Sequence, residues 1–303
     1  MNTGIIELDG EQFLIAKADK YEVVSIAQKE GYKRKLELEA YKINAKGKNF
    51  VTCYNESVKE IATKLELHEL GAVIKLLPYM FFKRDGLLSR GGETMKMEQI
   101  ATVIGRSIPQ TKKIMKRLIS VGIIIRGGSN KKPTYSISKE YHTMGEVIDG
   151  RLFTKLYQVE TRTGLKEVTL HEAGMLYRIL PWFHYQNYYL CSNPDENDPE
   201  VIHHLSHQEL AKLIRVDEKT AYTHMRKLIY RGFIIQIKGM GGAVNYRVNP
   251  DIMSKERSGI LTTETESVKG MFRELARTFE REKQLNELGL HRSDQDNRED
   301  IIL

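Results

Sequence analysis

The stretch LHELGAVIKLLPYM at residues 67–80 is echoed by LHEAGMLYRILPWF at residues 170–183. A leucine, a His-Glu pair, a glycine and a proline recur at a constant spacing of 103 residues, and the spacing holds without a gap back to Phe50 and Phe153. Self-similarity kept in register over such a length indicates an internal repeat.

The match continues beyond the proline, after one insertion. The second copy carries the extra loop CSNPDENDPEV from Cys191, after which paired residues are 110 apart, as in Ala101 with Ala211. Register kept on both sides of an insertion indicates a duplicated domain. We place the two domains at residues 50–140 (copy 1) and 153–250 (copy 2).

Copy 1 reads as three helices followed by a hairpin. SVKEIATKLELHELGAVIKLLPYM has apolar residues at helical spacing and predicts one core helix, which Pro78 ends. KMEQIATVIG predicts a second helix that stops at Gly105, and RSIPQTKKIMKRLISVG a third, with Ser107 as its cap and Pro109 in its first turn. IIIRGGSNKKPTYSI then predicts a hairpin.

Copy 2 repeats this order. SHQELAKLI predicts a helix capped by Ser206, EKTAYTHMRKLIYRG a helix capped by Asp217, and FIIQIKGMGGAVNYRV a hairpin. A helix-turn-helix followed by a β-hairpin is typical of a winged helix. We therefore predict an α+β fold, mostly helical, with two tandem winged helix-turn-helix domains.

The helix end LPYM, the stretch SHQELAKLIRVDEKTAYTHMRKLIYRGFI and the glycine-tipped hairpin resemble MarR-type winged-helix regulators. They are also similar to the winged-helix replication proteins of plasmids and phages from low-GC Gram-positive bacteria. The resemblance covers about two thirds of the chain. It implies a DNA-binding function, although one fold serves many tasks.

The second helix of each pair is the element expected to enter a major groove, where polar and cationic side chains contact bases and phosphates. The residues predicted to bind DNA from these helices are Gln110, Thr111, Lys112, Lys113 and Lys116 in copy 1, and Lys219, Thr220, Tyr222, Thr223, Arg226 and Lys227 in copy 2. We expect the lysines to set affinity through phosphates. Arg226 is the best candidate for a bidentate contact to guanine.

The hairpins add a second set of predicted contacts. These residues are Arg126, Asn130, Lys131 and Lys132 in copy 1, and Lys238 and Asn245 in copy 2. Glycines near both tips let the backbone approach a phosphate or a minor groove.

Both ends of the chain lie outside the repeat. Residues 1–49 alternate in polarity around Asp9-Gly10 and again in KRKLELEAYKI, which predicts a small β-element. Residues 262–288 predict an amphipathic helix, whose apolar stripe either docks on the same chain or pairs two chains in a homodimer. Residues 289–303 are polar, and we expect a loose tail.

Several residues suggest other chemistry. His68-Glu69 and His171-Glu172 invite a catalytic interpretation, but a glutamate in a first helical turn beside a structural histidine is the simpler one. His184 and Cys191 near VIHHLSHQEL suggest zinc, yet their spacing matches no standard zinc module.

Other motifs are missing from the sequence. It has no G-x-x-x-x-G-K loop, no H-E-x-x-H pair, and no His-hydrophobic-His motif of a rolling-circle nickase, which HHL at His203 does not match. We therefore expect a protein that acts by binding, not an enzyme, with neither a cofactor nor a metal.

The composition agrees with a globular DNA-binding protein. Lys and Arg total 47 against 40 Asp and Glu, so the net charge of +7 mildly favours a polyanionic partner. We expect no membrane span and no secretory signal, hence a cytoplasmic location. The cysteines, Cys53 and Cys191, are expected to be buried thiols.

Three functions fit these observations. The first is a sequence-specific double-stranded DNA-binding protein that regulates transcription. The second is a plasmid or phage replication initiator that binds origin repeats, and the third is a structural or partner-binding protein. In the first case the copies either mimic a two-fold dimer that reads two half-sites, or lie in tandem on an asymmetric site.

Overall fold

The computed structural model describes residues 3–8, 11–16, 28–32, 49–145, 147–148, 150–238, 244–255 and 262–287. The chain forms two compact units, residues 1–46 and 47–303. The fold is α+β, with small antiparallel sheets.

The strands are β1 (Thr3–Leu8), β2 (Glu11–Ala16), β3 (Phe50–Tyr54), β4 (Ser89–Arg90), β5 (Glu93–Thr94), β6 (Ile124–Gly128), β7 (Pro133–Ile137), β8 (His142–Thr143), β9 (Phe153–Tyr157), β10 (Ile234–Lys238), β11 (Val244–Val248) and β12 (Met253–Ser254). The helices are α1 (28–32), α2 (Asn55–Lys64), α3 (Leu67–Leu76), α4 (Met97–Ile104), α5 (Ile108–Ser120), α6 (Gln158–Gly164), α7 (Leu170–Ile179), α8 (His207–Leu213), α9 (Glu218–Tyr230) and α10 (Thr263–Glu287).

The first unit contains the hairpin expected around Asp9-Gly10. β1 and β2 are antiparallel and Leu8 faces Glu11, so a two-residue connection joins them. The second alternating stretch, KRKLELEAYKI, lies outside the described residues, as does the tail at 289–303. The short helix α1 was not expected from the sequence.

The two copies in the second unit share one sheet. β3 and β9 are antiparallel, with Thr52 opposite Lys155 and Phe50 opposite Tyr157. Thr52 and Lys155 are equivalent in the repeat, so each strand pairs with its own counterpart about this central pair. Only a local two-fold axis relates equivalent strands in this way.

The outer strands obey the same symmetry. β8 extends the sheet beside β3, with Thr143 opposite Thr52, and β12 extends it beside β9, with Ser254 opposite Lys155. The sheet order is β12-β9-β3-β8. Copy 1 and copy 2 therefore form an internal pseudo-dimer with a continuous buried core.

The repeated LHELG and LHEAG segments form the centre of this pseudo-dimer. Gly71 of α3 lies against the backbone carbonyl of Leu170, and Gly174 of α7 lies against that of Leu67. A Cβ atom at either glycine would overlap with the opposite carbonyl. The glycines thus let the two equivalent helices cross with their backbones in contact. This contact requires a glycine in both helices, which explains why the segment occurs in both copies.

The helix predicted over SVKEIATKLELHELGAVIKLLPYM is two helices, α2 and α3, so the prediction of one core helix was wrong. The chain breaks at Leu65 and Glu66 because the Glu69 carboxylate accepts a hydrogen bond from the Glu66 backbone N–H at 2.9 Å. Glu172 accepts one from Thr169 in copy 2 at 3.1 Å. A glutamate at this position starts a new helix by satisfying a free N–H.

Each copy then forms two helices and a hairpin in the predicted order. α4 and α5 precede β6–β7, and α8 and α9 precede β10–β11. The turn between the helices needs a left-handed residue, which is Gly105 (φ +72°) in copy 1 and Arg215 (φ +56°) in copy 2. The β4–β5 hairpin of copy 1, absent from the prediction, precedes α4.

The C-terminal helix α10 docks on its own chain. Val268, Phe272 and Leu275 are buried, and Glu264 forms an ion pair with Arg247 at 3.2 Å. A homodimer through α10 would therefore have to use the face that remains exposed. No helix among the described residues is both long and apolar enough to cross a membrane.

A buried polar pair joins β8, the strand that follows copy 1, to the central helix of copy 2. His142 of β8 and Tyr177 of α7 are both fully buried, and His142 Nε2 lies 2.8 Å from the Tyr177 hydroxyl. Burial lowers the pKa of His142 to about 3. The imidazole is therefore neutral near pH 7. Cys53 and Cys191 are buried free thiols.

We expect Gly71→Ala to lower the free energy of unfolding by about 3 kcal/mol, because the new methyl group overlaps with a backbone carbonyl that cannot move away. Urea unfolding followed by circular dichroism measures this. Gly270→Ala in α10 is the control, since no atom lies within 4 Å of the added Cβ. Its unfolding free energy should rise by up to about 1 kcal/mol, because alanine favours a helix more than glycine does. Equal effects at the two glycines would contradict the close crossing.

A second prediction concerns acid stability. A histidine in the unfolded chain has a pKa near 6.5, whereas burial lowers the pKa of folded His142 to about 3. The contribution of His142 to stability is therefore fully present above about pH 6.5 and is lost as the pH falls below that value. Between pH 7 and 5.5, His142 should cost about 1 kcal/mol of unfolding free energy. His142→Gln should remove that part of the pH dependence in urea titrations at the two pH values. An unaltered pH dependence in His142→Gln would refute the assignment.

Candidate nucleic-acid interface

The second helix of copy 1, α5, begins as predicted but without the expected side-chain cap. Ser107 occupies the N-cap position and Pro109 the first turn, yet the Ser107 hydroxyl caps no backbone N–H. Ile114, Met115 and Leu118 form its buried face. The opposite face is therefore the one presented to solvent.

That exposed face carries most of the residues predicted for copy 1. Gln110, Lys112, Lys113 and Lys116 are all exposed. Thr111 corrects the prediction: it is fully buried, and its hydroxyl has no hydrogen-bond partner among the described residues. Position 111 follows the 3.6-residue period of the core face, which places it beside Ile114 and not beside Gln110.

The second helix of copy 2, α9, is capped by Asp217, whose carboxylate accepts a hydrogen bond from the Thr220 N–H at 3.0 Å. Of the residues predicted on this helix, Lys219, Tyr222, Thr223, Arg226 and Lys227 are exposed and Thr220 is half-buried. The Thr223 hydroxyl donates to the Lys219 carbonyl at 2.8 Å.

Three side chains of copy 2 contact one another in series. The His207 ring meets the Tyr222 ring edge to face at 5.5 Å, and the Arg226 guanidinium lies 5.8 Å from the Tyr222 ring centre. His207 Nε2 donates to the Glu218 carbonyl at 3.1 Å, which holds the ring in place. We call His207, Tyr222 and Arg226 the copy 2 stack. It restricts the directions in which Arg226 can point.

The hairpins place the remaining predicted residues. In copy 1, Arg126, Asn130, Lys131 and Lys132 are exposed, and Arg126 Nη2 donates to the Asn130 side chain at 3.3 Å. In copy 2, Lys238 is exposed and Asn245 is half-buried. The tip of this second hairpin, residues 239–243, lies outside the described residues.

One residue predicted to contact DNA, Lys227, forms an intramolecular ion pair. Lys227 Nζ lies 3.2 Å from Glu172, and Arg231 Nε lies 3.8 Å from the same carboxylate. Copy 1 has the equivalent pair, Arg117 with Glu69 at 3.9 Å. In both copies the second helix is tied to the central helix crossing. The two-fold relation of α3 and α7 therefore extends to α5 and α9.

Burial opposes ionisation of Glu172, but the Thr169 N–H and Lys227 outweigh it and lower the pKa of this carboxyl. Glu69 and Glu172 both act as first-turn charges of a helix, as the sequence indicated. Their chemistry is that of capping and ion pairing.

Three histidines meet at the pseudo-two-fold axis. The His68 and His171 rings lie 5.9 Å apart, and His224 stacks on His171 at 6.1 Å. Burial lowers the pKa of His171, and His68 and Arg106 lower it further. Burial also lowers the pKa of His224. These shifts favour the neutral forms of His171 and His224.

A groove of about 350 Å³ opens beside α5. The residues that line it are His68, Glu69, Arg106, Gln110, Lys113, Ile114 and Arg117. Sequence reasoning missed Arg106 and Arg117. The sequence offered one signal for Arg106, because this residue lies in the short turn before α5, the helix predicted to enter a DNA major groove.

The zinc interpretation does not gain support from the residues named for it. His184 is fully buried and its Nε2 donates to the Glu196 carbonyl at 2.7 Å, while burial raises the pKa of Cys191 to about 12, so it is a thiol. Within the described ranges, no three His, Cys, Asp or Glu side chains are grouped so that they could hold a metal ion.

Comparisons of this chain with models of known protein families, with curated proteins and with solved structures gave no match.

We expect Glu172→Gln to lower the unfolding free energy by about 1–2 kcal/mol at pH 7, because glutamine keeps the capping bond but loses two cationic partners. Urea titrations at low salt measure the loss. Glu69→Gln is the matched control, and its cost should be less than about 1 kcal/mol because, within the described part of the chain, Glu69 forms an ion pair with one cation, Arg117, at 3.9 Å. A larger cost at Glu69 would contradict the assigned ion pairs.

Proposed function

We propose that copy 1 and copy 2 are winged-helix domains and that the protein is a sequence-specific double-stranded DNA-binding protein that regulates transcription. In this proposal α5 and α9 enter major grooves, and the hairpins β6–β7 and β10–β11 are the wings. The protein acts by binding and not by catalysis, and its location is the cytoplasm.

The observation that carries the proposal is the doubled arrangement of exposed cations and polar side chains. Lys112, Lys113 and Lys116 lie on the exposed face of α5, and Lys219 and Arg226 on that of α9. Both helices follow a short turn and precede a hairpin. Chance surface lysines would have no reason to coincide with the same element twice.

The chemistry of these faces suits a polyanion better than a protein partner. Lysine and arginine neutralise phosphates, and glutamine, threonine and tyrosine hydrogen-bond to bases or phosphates. A partner-binding surface is typically depleted in lysine at its centre and rich in apolar side chains. The α5 face has the opposite composition, which favours DNA.

The first hairpin supports the same interpretation. Its tip carries Lys131 and Lys132, both exposed, and Gly128 adopts a positive φ of 71° in the turn. A Cβ atom at Gly128 would overlap with the Lys132 carbonyl, so the glycine lets the hairpin turn tightly at this point. With its two exposed lysines, the tip is suited to follow a DNA backbone or to enter a minor groove.

The test is duplex binding by a variant in which Lys112, Lys113, Lys116 and Arg226 are all changed to alanine. Affinity should fall on every duplex, and the slope of log affinity against log salt should flatten by about 0.9 for each phosphate contact removed. Fluorescence anisotropy at several salt concentrations measures both quantities.

The control removes equal charge from other surfaces, by changing Lys64, Lys83, Arg84 and Lys139 to alanine. These residues are exposed and belong to neither second helix nor hairpin. Binding and slope should stay close to the wild-type values. Equal losses in both variants, or none in the first, would refute the proposed interface.

The biological consequence depends on where the sites lie. Footprints that overlap promoters would identify a regulator, as proposed. An array of sites beside a replication origin would instead identify an initiator that uses the same surface.

A further inference from the structure

The two-fold relation of the copies constrains the DNA that they can share. Equivalent strands pair about Thr52 and Lys155, and at the crossing of α3 and α7 each of two equivalent glycines lies against a carbonyl of the opposite helix. Two identical readers related by a two-fold axis present themselves to a duplex in opposite directions. Half-sites that match them are therefore inverted and not directly repeated.

The readers are related by symmetry but differ in chemistry. Where copy 2 has Tyr222 and Arg226, copy 1 has Lys112 and Lys116 at the equivalent positions. The arginine fork and the tyrosine hydroxyl distinguish bases, whereas lysine acts on phosphates as a mobile point charge. Because Thr111 is buried, Gln110 is the one uncharged polar side chain that stays exposed among the residues predicted to bind DNA from α5.

The two readers also differ in the neighbours that support their side chains. In the copy 2 stack, His207 supports Tyr222, which in turn lies beneath Arg226. Met97 takes the place of His207 in copy 1, where the equivalent side chains are lysines. A side chain held in place loses less entropy when it contacts a base, so the stack favours selective contacts by copy 2.

The hairpins reinforce this division. The copy 1 hairpin exposes Arg126, Lys131 and Lys132, which extend the cationic surface of α5. In α9, Lys227 is engaged with Glu172, which reduces its contribution to phosphate binding. Among the predicted contacts, copy 1 exposes six cations and copy 2 exposes four, of which Lys227 is already paired. The electrostatic part of binding is therefore larger on copy 1.

We propose, on the premise that the proposed DNA-binding function holds, that the recognised duplex carries two inverted half-sites of unequal information. Copy 2 reads the base sequence of one half-site through the copy 2 stack. Copy 1 holds the other half-site chiefly by its phosphates. The target is thus an imperfect inverted repeat, in which the base sequence of only one half-site is strongly specified.

Selection of bound sequences from randomised duplexes tests this with the full chain. The wild-type protein should select an inverted pair in which one half is strongly determined. Arg226→Lys keeps the charge but loses the fork, so preference within the strong half should relax by roughly tenfold, with little change in affinity for unrelated DNA.

The matched variant changes Lys112, Lys113 and Lys116 to glutamine. It should bind all duplexes more weakly and flatten the salt slope by up to about 2.7, at about 0.9 for each of three contacts, while selecting the same sequence as the wild-type protein. Circular dichroism and urea unfolding check that both variants fold.

The outcomes separate the two proposals. Two equally determined halves, direct repeats, or a lysine variant that selects a new sequence would overturn the unequal inverted repeat and leave DNA binding intact. If the wild-type protein bound no duplex in a salt-dependent way, the proposed function would fall, and this inference with it.

Discussion

The close approach of α3 and α7 at Gly71 and Gly174 is the constraint on which the rest of the second unit depends. Each glycine accommodates the backbone carbonyl of the first residue of the opposite helix, Leu170 or Leu67. Because only a missing side chain permits this distance, the crossing fixes one relative position for the two helices. The shared sheet is built around the same axis.

The crossing also positions the helices that we propose as DNA readers. Glu69 and Glu172 each cap a central helix and each pair with a cation of the following second helix. One carboxylate therefore connects the start of the central helix with α5 or α9. Through these contacts the spacing of the readers follows from the packing of the core.

The two-fold symmetry of the backbone has not kept equivalent side chains of the two copies alike. Lys75 of copy 1 corresponds to Arg178 of copy 2, whose guanidinium donates to the carbonyls of Leu65, Ile214 and Arg215. This one side chain connects the ends of helices from both copies. Duplication followed by local divergence explains how two helices related by a two-fold axis carry different side chains. In our proposal, α5 of copy 1 binds phosphates and α9 of copy 2 reads bases.

Local patterns were enough to predict the repeat, the helix pairs, the hairpins and the α10 stripe, because each depends on periodicity, a cap or a turn residue within a few positions. The same reasoning missed the break between α2 and α3, since the hydrophobic period continues across it and only the glutamate cap interrupts it. It also placed Thr111 on the wrong face.

The sequence by itself determined that a unit was duplicated and which residues of its second helices are polar. Tertiary structure decided that the copies face each other across a two-fold axis, that Lys227 is tied to Glu172, and that α10 docks on its own chain. These facts depend on contacts between residues far apart in the chain. Such contacts are selected by the packing of whole helices and strands, and no local pattern of residues encodes them.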